Sequence, residues 1–151
     1  MIKVEIQRVT PARGLPENRQ IRHWIKKALS VLQKENAELT VRIVDEKEGA
    51  QLNRTWRKKT GPTNVLSFQY EDEHYNDNFI GDMVLCAPVI ISEAREQNKN
   101  PESHWAHMIV HGTLHLLGYD HIKTREAEKM ESMEVRILES MGYKNPYHET
   151  V

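Results

Sequence analysis

The sequence predicts an α+β fold in a single domain, an about four-stranded sheet packed with helices, with a metal site at the end of a long helix. Three observations predict it. Apolar residues alternate with period two in the early segments, and they recur at helical spacing in longer ones. Strand signals cease after residue 86, while helix signals continue to about residue 141. No Gly/Ser-rich linker, low-complexity tract or internal repeat interrupts the chain, so residues 1–151 read as one domain.

Ile2, Val4 and Ile6 alternate with Lys3, Glu5 and Gln7, as Leu39, Val41 and Ile43 do with Thr40 and Arg42. Both segments read as half-buried strands. Between them, Ile21, Trp24, Ile25, Ala28, Leu29 and Leu32 share one helical face within residues 17–35. A short helix follows Asp45 to about Trp56 and ends before the turn signal Gly61-Pro62. Residues 65–68 and 79–86 read as two more strands, joined by the polar loop 69–78. Asn100 as N-cap, Pro101 at the first helical position and Gly118 past the end bracket a helix of about 17 residues. Thr124 caps a last helix, whose Met130, Met133, Ile137 and Met141 form an apolar stripe before Gly142. The stripe is assigned to the core rather than to a binding groove. Strand order does not follow from these patterns.

With 21 Lys and Arg against 22 Asp and Glu, the net charge is −1, which excludes whole-surface attraction to nucleic acid. Any such contact must be local. The strongest patch is Arg54-Thr55-Trp56-Arg57-Lys58-Lys59, and the same residues also read as a helix end whose cations face the dipole. Cys86 is the single cysteine, so no intramolecular disulfide forms and a reducing compartment is expected. The opening MIKVEIQRV lacks the apolar run of a signal peptide, and no segment has the apolar length of a membrane span. The expectation is a cytoplasmic protein without a membrane partner.

The chemistry concentrates in HGTLHLLGYDH, residues 111–121. Histidines four apart stack on one helix face, and a glycine three residues later can end the helix and return a third imidazole. Five of the eight histidines fall between residues 104 and 121, and reach selects among them. His104 and His115 lie about 16 Å apart along a helix axis at roughly 1.5 Å per residue, too far to share one ion. His107 and His115, two turns apart, are also poorly placed. His111, His115 and His121 remain as the predicted metal ligands. His107 is expected to orient a ligand or line the groove, His104 to lie at the surface, and Asp120 either to orient an imidazole or to be solvated.

Three nitrogen ligands with an open fourth position suit catalytic zinc, one ion per chain. A structural zinc is the competing account, but such sites usually take four protein ligands, and only Cys86 could add a thiolate. The spacing matches a large class of zinc proteases, except that Gly112 stands where they carry the glutamate base. Peptide hydrolysis is therefore not predicted.

HGTLHLLGYDH resembles the metal motif of the YbeY family of metal-dependent endoribonucleases, and the resemblance spans nearly the whole chain. Residues 52–68, LNRTWRKKTGPTNVLSF, are similar to its second signature, with Arg57 at the characteristic arginine. Gly81-Asp82 matches the opening of the next strand, and WAHMIVHG leads into the metal motif. Gln69 departs from the pattern, standing where many members have proline, and it leaves the shape of the following loop open.

The resemblance implies a single-strand-preferring, zinc-dependent endoribonuclease. Its expected role is maturation of the 3′ end of small-subunit ribosomal RNA and ribosome quality control. Expected partners are ribosomal RNA, the ribosome or its small-subunit proteins, and an assembly GTPase. Arg57 is then the phosphate clamp, since a guanidinium offers paired planar donors and stays charged. Lys58, Lys59, Asn64 and Ser67 are expected beside the substrate. Asp82 is a candidate for ordering water or the metal surroundings, with turn formation the equal alternative. Zinc can act as a Lewis acid or supply hydroxide from water near neutral pH, and the sequence does not choose between water and an RNA 2′-hydroxyl as nucleophile. A non-catalytic, zinc-stabilised ribosome-assembly factor is the rival reading.

Overall fold

The computed structural model describes residues 1–70, 78–120 and 122–147. Among these, the order is β1 (Ile2–Val9), α1 (Asn18–Val31), β2 (Ala37–Val44), α2 (Glu46–Arg57), β3 (Val65–Gln69), β4 (Phe79–Cys86), α3 (Ala87–Glu96), α4 (Pro101–Leu116) and α5 (Thr124–Ser140). The single-domain α+β expectation holds for fold class. One four-stranded sheet runs β1-β2-β4-β3. β1, β2 and β4 are parallel, and β3 is antiparallel to β4. Helix α1 supplies the crossover that the parallel pair β1–β2 requires, whereas β3 can follow β4's edge in the opposite sense without one.

α4 is the central helix, packed on β3 and β4 and against α1, α3 and α5. Its Trp105, Ala106, Ile109, Val110 and Leu114 enter the main core with Ile21, Trp24 and Ile25 of α1. Ser67 and Gln69 of β3 point toward α4, where both bond its backbone carbonyls. The alternate residues Leu66 and Phe68 join Val44, Val84, Cys86 and Leu52 in a smaller cluster beneath α2. The sheet therefore separates α4 from α2, and only its β3 edge lets the two helices look onto one cleft.

The capping predictions divide. The Asn100 side chain accepts from the backbone N–H groups of Glu102 and Ser103, at 2.9 and 3.3 Å, as an N-cap should. Thr124 does not cap α5; it is the first helical residue, and Lys123 occupies the cap without a side-chain bond. Met130 and Ile137 are buried and Met133 and Met141 pack against the core, which places the methionine stripe inside. The loop expected at 69–78 falls mostly at residues 71–77, outside the described residues. No helix among the described residues is long and apolar enough to cross a membrane.

Candidate metal centre

His111 and His115, one turn apart on α4, bring their Nε2 atoms to 3.1 Å. Two nitrogens on one tetrahedral zinc with bonds of about 2.0–2.1 Å lie about 3.3 Å apart, so this pair fits a shared ion. Gly118 follows at φ +95°, a conformation that reverses the chain after the helix. Asp120 and Ile122 line the same cleft as the two histidines. His121, between them in sequence, lies outside the described residues.

The other nitrogen of His111 is occupied. Its Nδ1 lies 2.9 Å from Oε1 of Glu134, a residue of α5 that is only 1% exposed. The second carboxylate oxygen takes His107 Nε2 at 2.5 Å and accepts from the Tyr147 hydroxyl at 2.7 Å. Burial alone would raise the Glu134 carboxyl, but the hydrogen bonds from His107 and His111 outweigh it and hold it at about 2. Burial first, and then the neighbouring Glu134 carboxylate, push the Tyr147 phenol upward, so its proton stays on.

His107, His111 and Glu134 together form a second donor cluster that could hold a metal, with donor atoms within 4.8 Å of one another. The two sets share His111 but use opposite nitrogens. Contacts of 2.5 and 2.9 Å are hydrogen-bond distances, shorter than the about 3.3 Å between two ligands of one zinc. Glu134 thus takes three hydrogen bonds from its surroundings, while the Nε2 pair faces the open cleft.

That cleft has a volume of about 530 Å³, and His111 and His115 form one wall. Arg57, Lys59, Asn64 and Ser67 contribute to the opposite side. The two walls are tied together. Arg57 Nη2 donates to the Ser67 carbonyl at 2.8 Å, and Ser67 Oγ donates to the Gly112 carbonyl at 3.1 Å, one residue beyond His111. Gln69, the departure in the strand motif, donates from Nε2 to the His115 carbonyl at 3.1 Å.

Gly112 has its own reason. A Cβ there would meet Met83 Sδ at 2.8 Å, so the position faces the sheet, not the metal side of the helix. A glutamate could not serve as base from this position without displacing the α4–β4 packing. A side chain at this position would have to push the buried Met83 thioether aside.

Other predicted site residues are placed less simply. Lys58 forms the left-handed C-cap of α2, φ 58°, and does not line the cleft. Asp82 is exposed on β4 opposite Phe68, on the face away from α4, so it does not order groups at the metal centre. Strand alternation causes this: Met83, its neighbour, takes the α4 side. Asn64 lines the cleft, yet its amide nitrogen is held 3.2 Å from each Glu93 carboxylate oxygen. His104, expected at the surface, is instead buried at 3% exposure with Nε2 3.1 Å from Glu93. Glu93 of α3 and Glu134 of α5 cover the first half of the histidine stripe, which is why His104 is not at the surface.

A model of the endoribonuclease YbeY family matches residues 8–142. A protein described as endoribonuclease YbeY from Methylococcus capsulatus is 50% identical over 150 residues, covering 99% of this chain and 97% of that protein. The chain belongs to the endoribonuclease YbeY family. The solution structure of a Thermotoga maritima protein superposes with a TM-score of 0.59 at 24% identity, covering 99% of this chain and all of the other, and shows the same fold.

Within this YbeY chain, the sequence reading missed Glu134 and Tyr147. Glu134 left a signal: it lies four residues after Met130 and three before Ile137, a carboxylate set into an apolar helical stripe. Tyr147 left none, since only the folded chain brings it to Glu134.

Proposed function

We propose that the chain cuts ribosomal RNA at a zinc centre formed by His111, His115 and His121, acting in maturation of the small-subunit RNA 3′ end and in ribosome quality control. Family membership makes it an endoribonuclease by class. The observation that carries the zinc reading is the Nε2 pair of His111 and His115, facing a cleft whose other wall presents Arg57.

A divalent ion bound there supplies positive charge beside a phosphate and acidifies water. Arg57, exposed and anchored through one donor to Ser67, keeps its remaining donors for phosphate oxygens. Lys59 adds charge along the same wall. Gly112 supplies no base, so the attacking hydroxyl loses its proton without help from that helix position.

Single-strand preference rests on Trp56, which is 64% exposed next to Arg57. Asn53, Trp56 and Arg57 stand at i, i+3 and i+4 on one face of α2, and the first and last line the cleft. The Trp56 ring meets Phe68 edge-on at 6.2 Å, which leaves an indole surface open to an unpaired base. Ribosomal RNA, small-subunit proteins and an assembly GTPase are the partners this role requires, and the cytoplasm is its compartment.

The buried His107–His111–Glu134 cluster favours one second reading, a metal that only stabilises an RNA-binding assembly factor. Cleavage of matched single-stranded and duplex RNAs by metal-free and zinc-restored protein separates them, with a His115→Ala variant controlling for contaminating nuclease. Zinc-dependent cutting of the single strand supports the enzyme. Tight RNA binding with no cutting under any metal supports the scaffold. A 2′,3′-cyclic product end would identify the RNA 2′-hydroxyl as nucleophile.

A further inference from the structure

We propose that Glu134 is a positioning residue of the metal centre: its carboxylate, held by His107 and Tyr147, keeps the proton of His111 on Nδ1 and aims Nε2 at the ion. The inference deepens the zinc reading and rests on it. An imidazole that rotates freely presents either nitrogen to a metal, and the hydrogen bond made by one nitrogen decides which face the other offers. Here Glu134 Oε1 receives His111 Nδ1 at 2.9 Å, and Nε2 is left directed at its counterpart on His115.

The carboxylate is itself immobilised. It is 1% exposed and flanked on α5 by the buried Met130 and Ile137, so its backbone is anchored in the core. Its other oxygen takes His107 Nε2 and the Tyr147 hydroxyl, which fixes its rotation. His107 Nδ1 is buried and has no hydrogen-bond partner among the described residues, which assigns the His107 proton to Nε2 as donor. Three donors therefore converge on one acceptor: α4 gives two and the segment after α5 gives the third. His107, two turns from His115 and unable to share its ion, supports the site from behind.

Such supporting carboxylates typically change metal affinity by about 10–100-fold when removed. Zinc affinity of Glu134→Gln, measured by competition with a chromophoric chelator, should fall within that range while far-ultraviolet circular dichroism stays that of the parent. Tyr147→Phe, which removes one of the three donors, should weaken zinc by only a few fold. A folded Glu134→Gln variant with parental affinity overturns the proposal.

Should Glu134→Gln fail to fold, imidazole ¹⁵N spectra of the unmodified protein decide the matter. The expected pattern is a protonated His111 Nδ1 with and without zinc, and a metal-shifted Nε2 on His111 and His115. Metal shifts on His111 Nδ1 and His107 Nε2 instead would put the ion on the Glu134 side and overturn it. Neither measurement uses RNA, so a protein that binds zinc in this way but cuts nothing would remove the nuclease reading and leave this one standing.

Discussion

The two halves of α4 carry the same side chain at nearly the same spacing and put it to different use. His104 and His107 on the first half are buried against Glu93 of α3 and Glu134 of α5, whereas His111 and His115 on the second half open onto a cleft. Nothing in the helix itself distinguishes them. What differs is the cover: α3 and α5 close over the first turns, and beyond His111 the neighbouring wall is the β3 edge with Arg57. The histidine stripe reaches an open cleft only where the cover of α3 and α5 stops.

The sharpest way to break this contrast is to remove one imidazole from each half. His115→Ala should reduce bound zinc to background by elemental analysis, while His104→Ala should keep it and lose thermal stability instead. Equal zinc in both variants would erase the distinction. Next in size, Arg57→Ala should leave zinc unchanged and slow RNA cleavage by about 10²–10³-fold, the usual loss for one charge-stabilising donor. Undiminished cleavage would show that the open half works without its opposite wall.

Gly112→Glu tests whether the helix can turn a base toward the ion at all. Overpacking against Met83 and burial of a carboxylate should cost about 3 kcal/mol in denaturant unfolding, with no gain of peptidase activity. The smallest effect is in pH. Burial lowers the His104 pKa, the Glu93 hydrogen bond and charge oppose this, and Lys99 and His107 add to the lowering. A histidine depressed below its ordinary value of about 6.5 binds its proton more readily unfolded, so its share of stability is present above that pH and shrinks as pH falls toward the folded value. His104→Asn should flatten the melting-temperature profile in that window, and a parallel profile would exclude His104 as its source.

Much of this was legible because the signals are local. Period-two alternation located the strands, Asn100 with Pro101 announced α4, and the three-histidine motif with its glycine pointed to the cleft. Strand order was not legible, because the β2–β4 pairing passes over β3 and depends on tertiary packing. The burial of His104 was misread for a related reason. A wheel shows which residues share a face but not which neighbour lies on it. Asp82 looked like a site residue in sequence, yet the pleat sends it to the α2 side, one residue from Met83 that faces α4. Glu134 was readable as a polar intrusion in the α5 stripe, but its partners come from two other segments.

The Tyr147 contact also bears on when the protein becomes competent during synthesis. His107 and Tyr147 are 40 residues apart, and the chain is made from its N-terminus, so both cleft histidines of α4 exist before the hydroxyl that steadies their support. A nascent chain that has already formed the helix still lacks the third donor on Glu134. On the proposed role of Glu134, a product truncated before Tyr147 would carry the histidine motif but lack one of the three donors on that carboxylate.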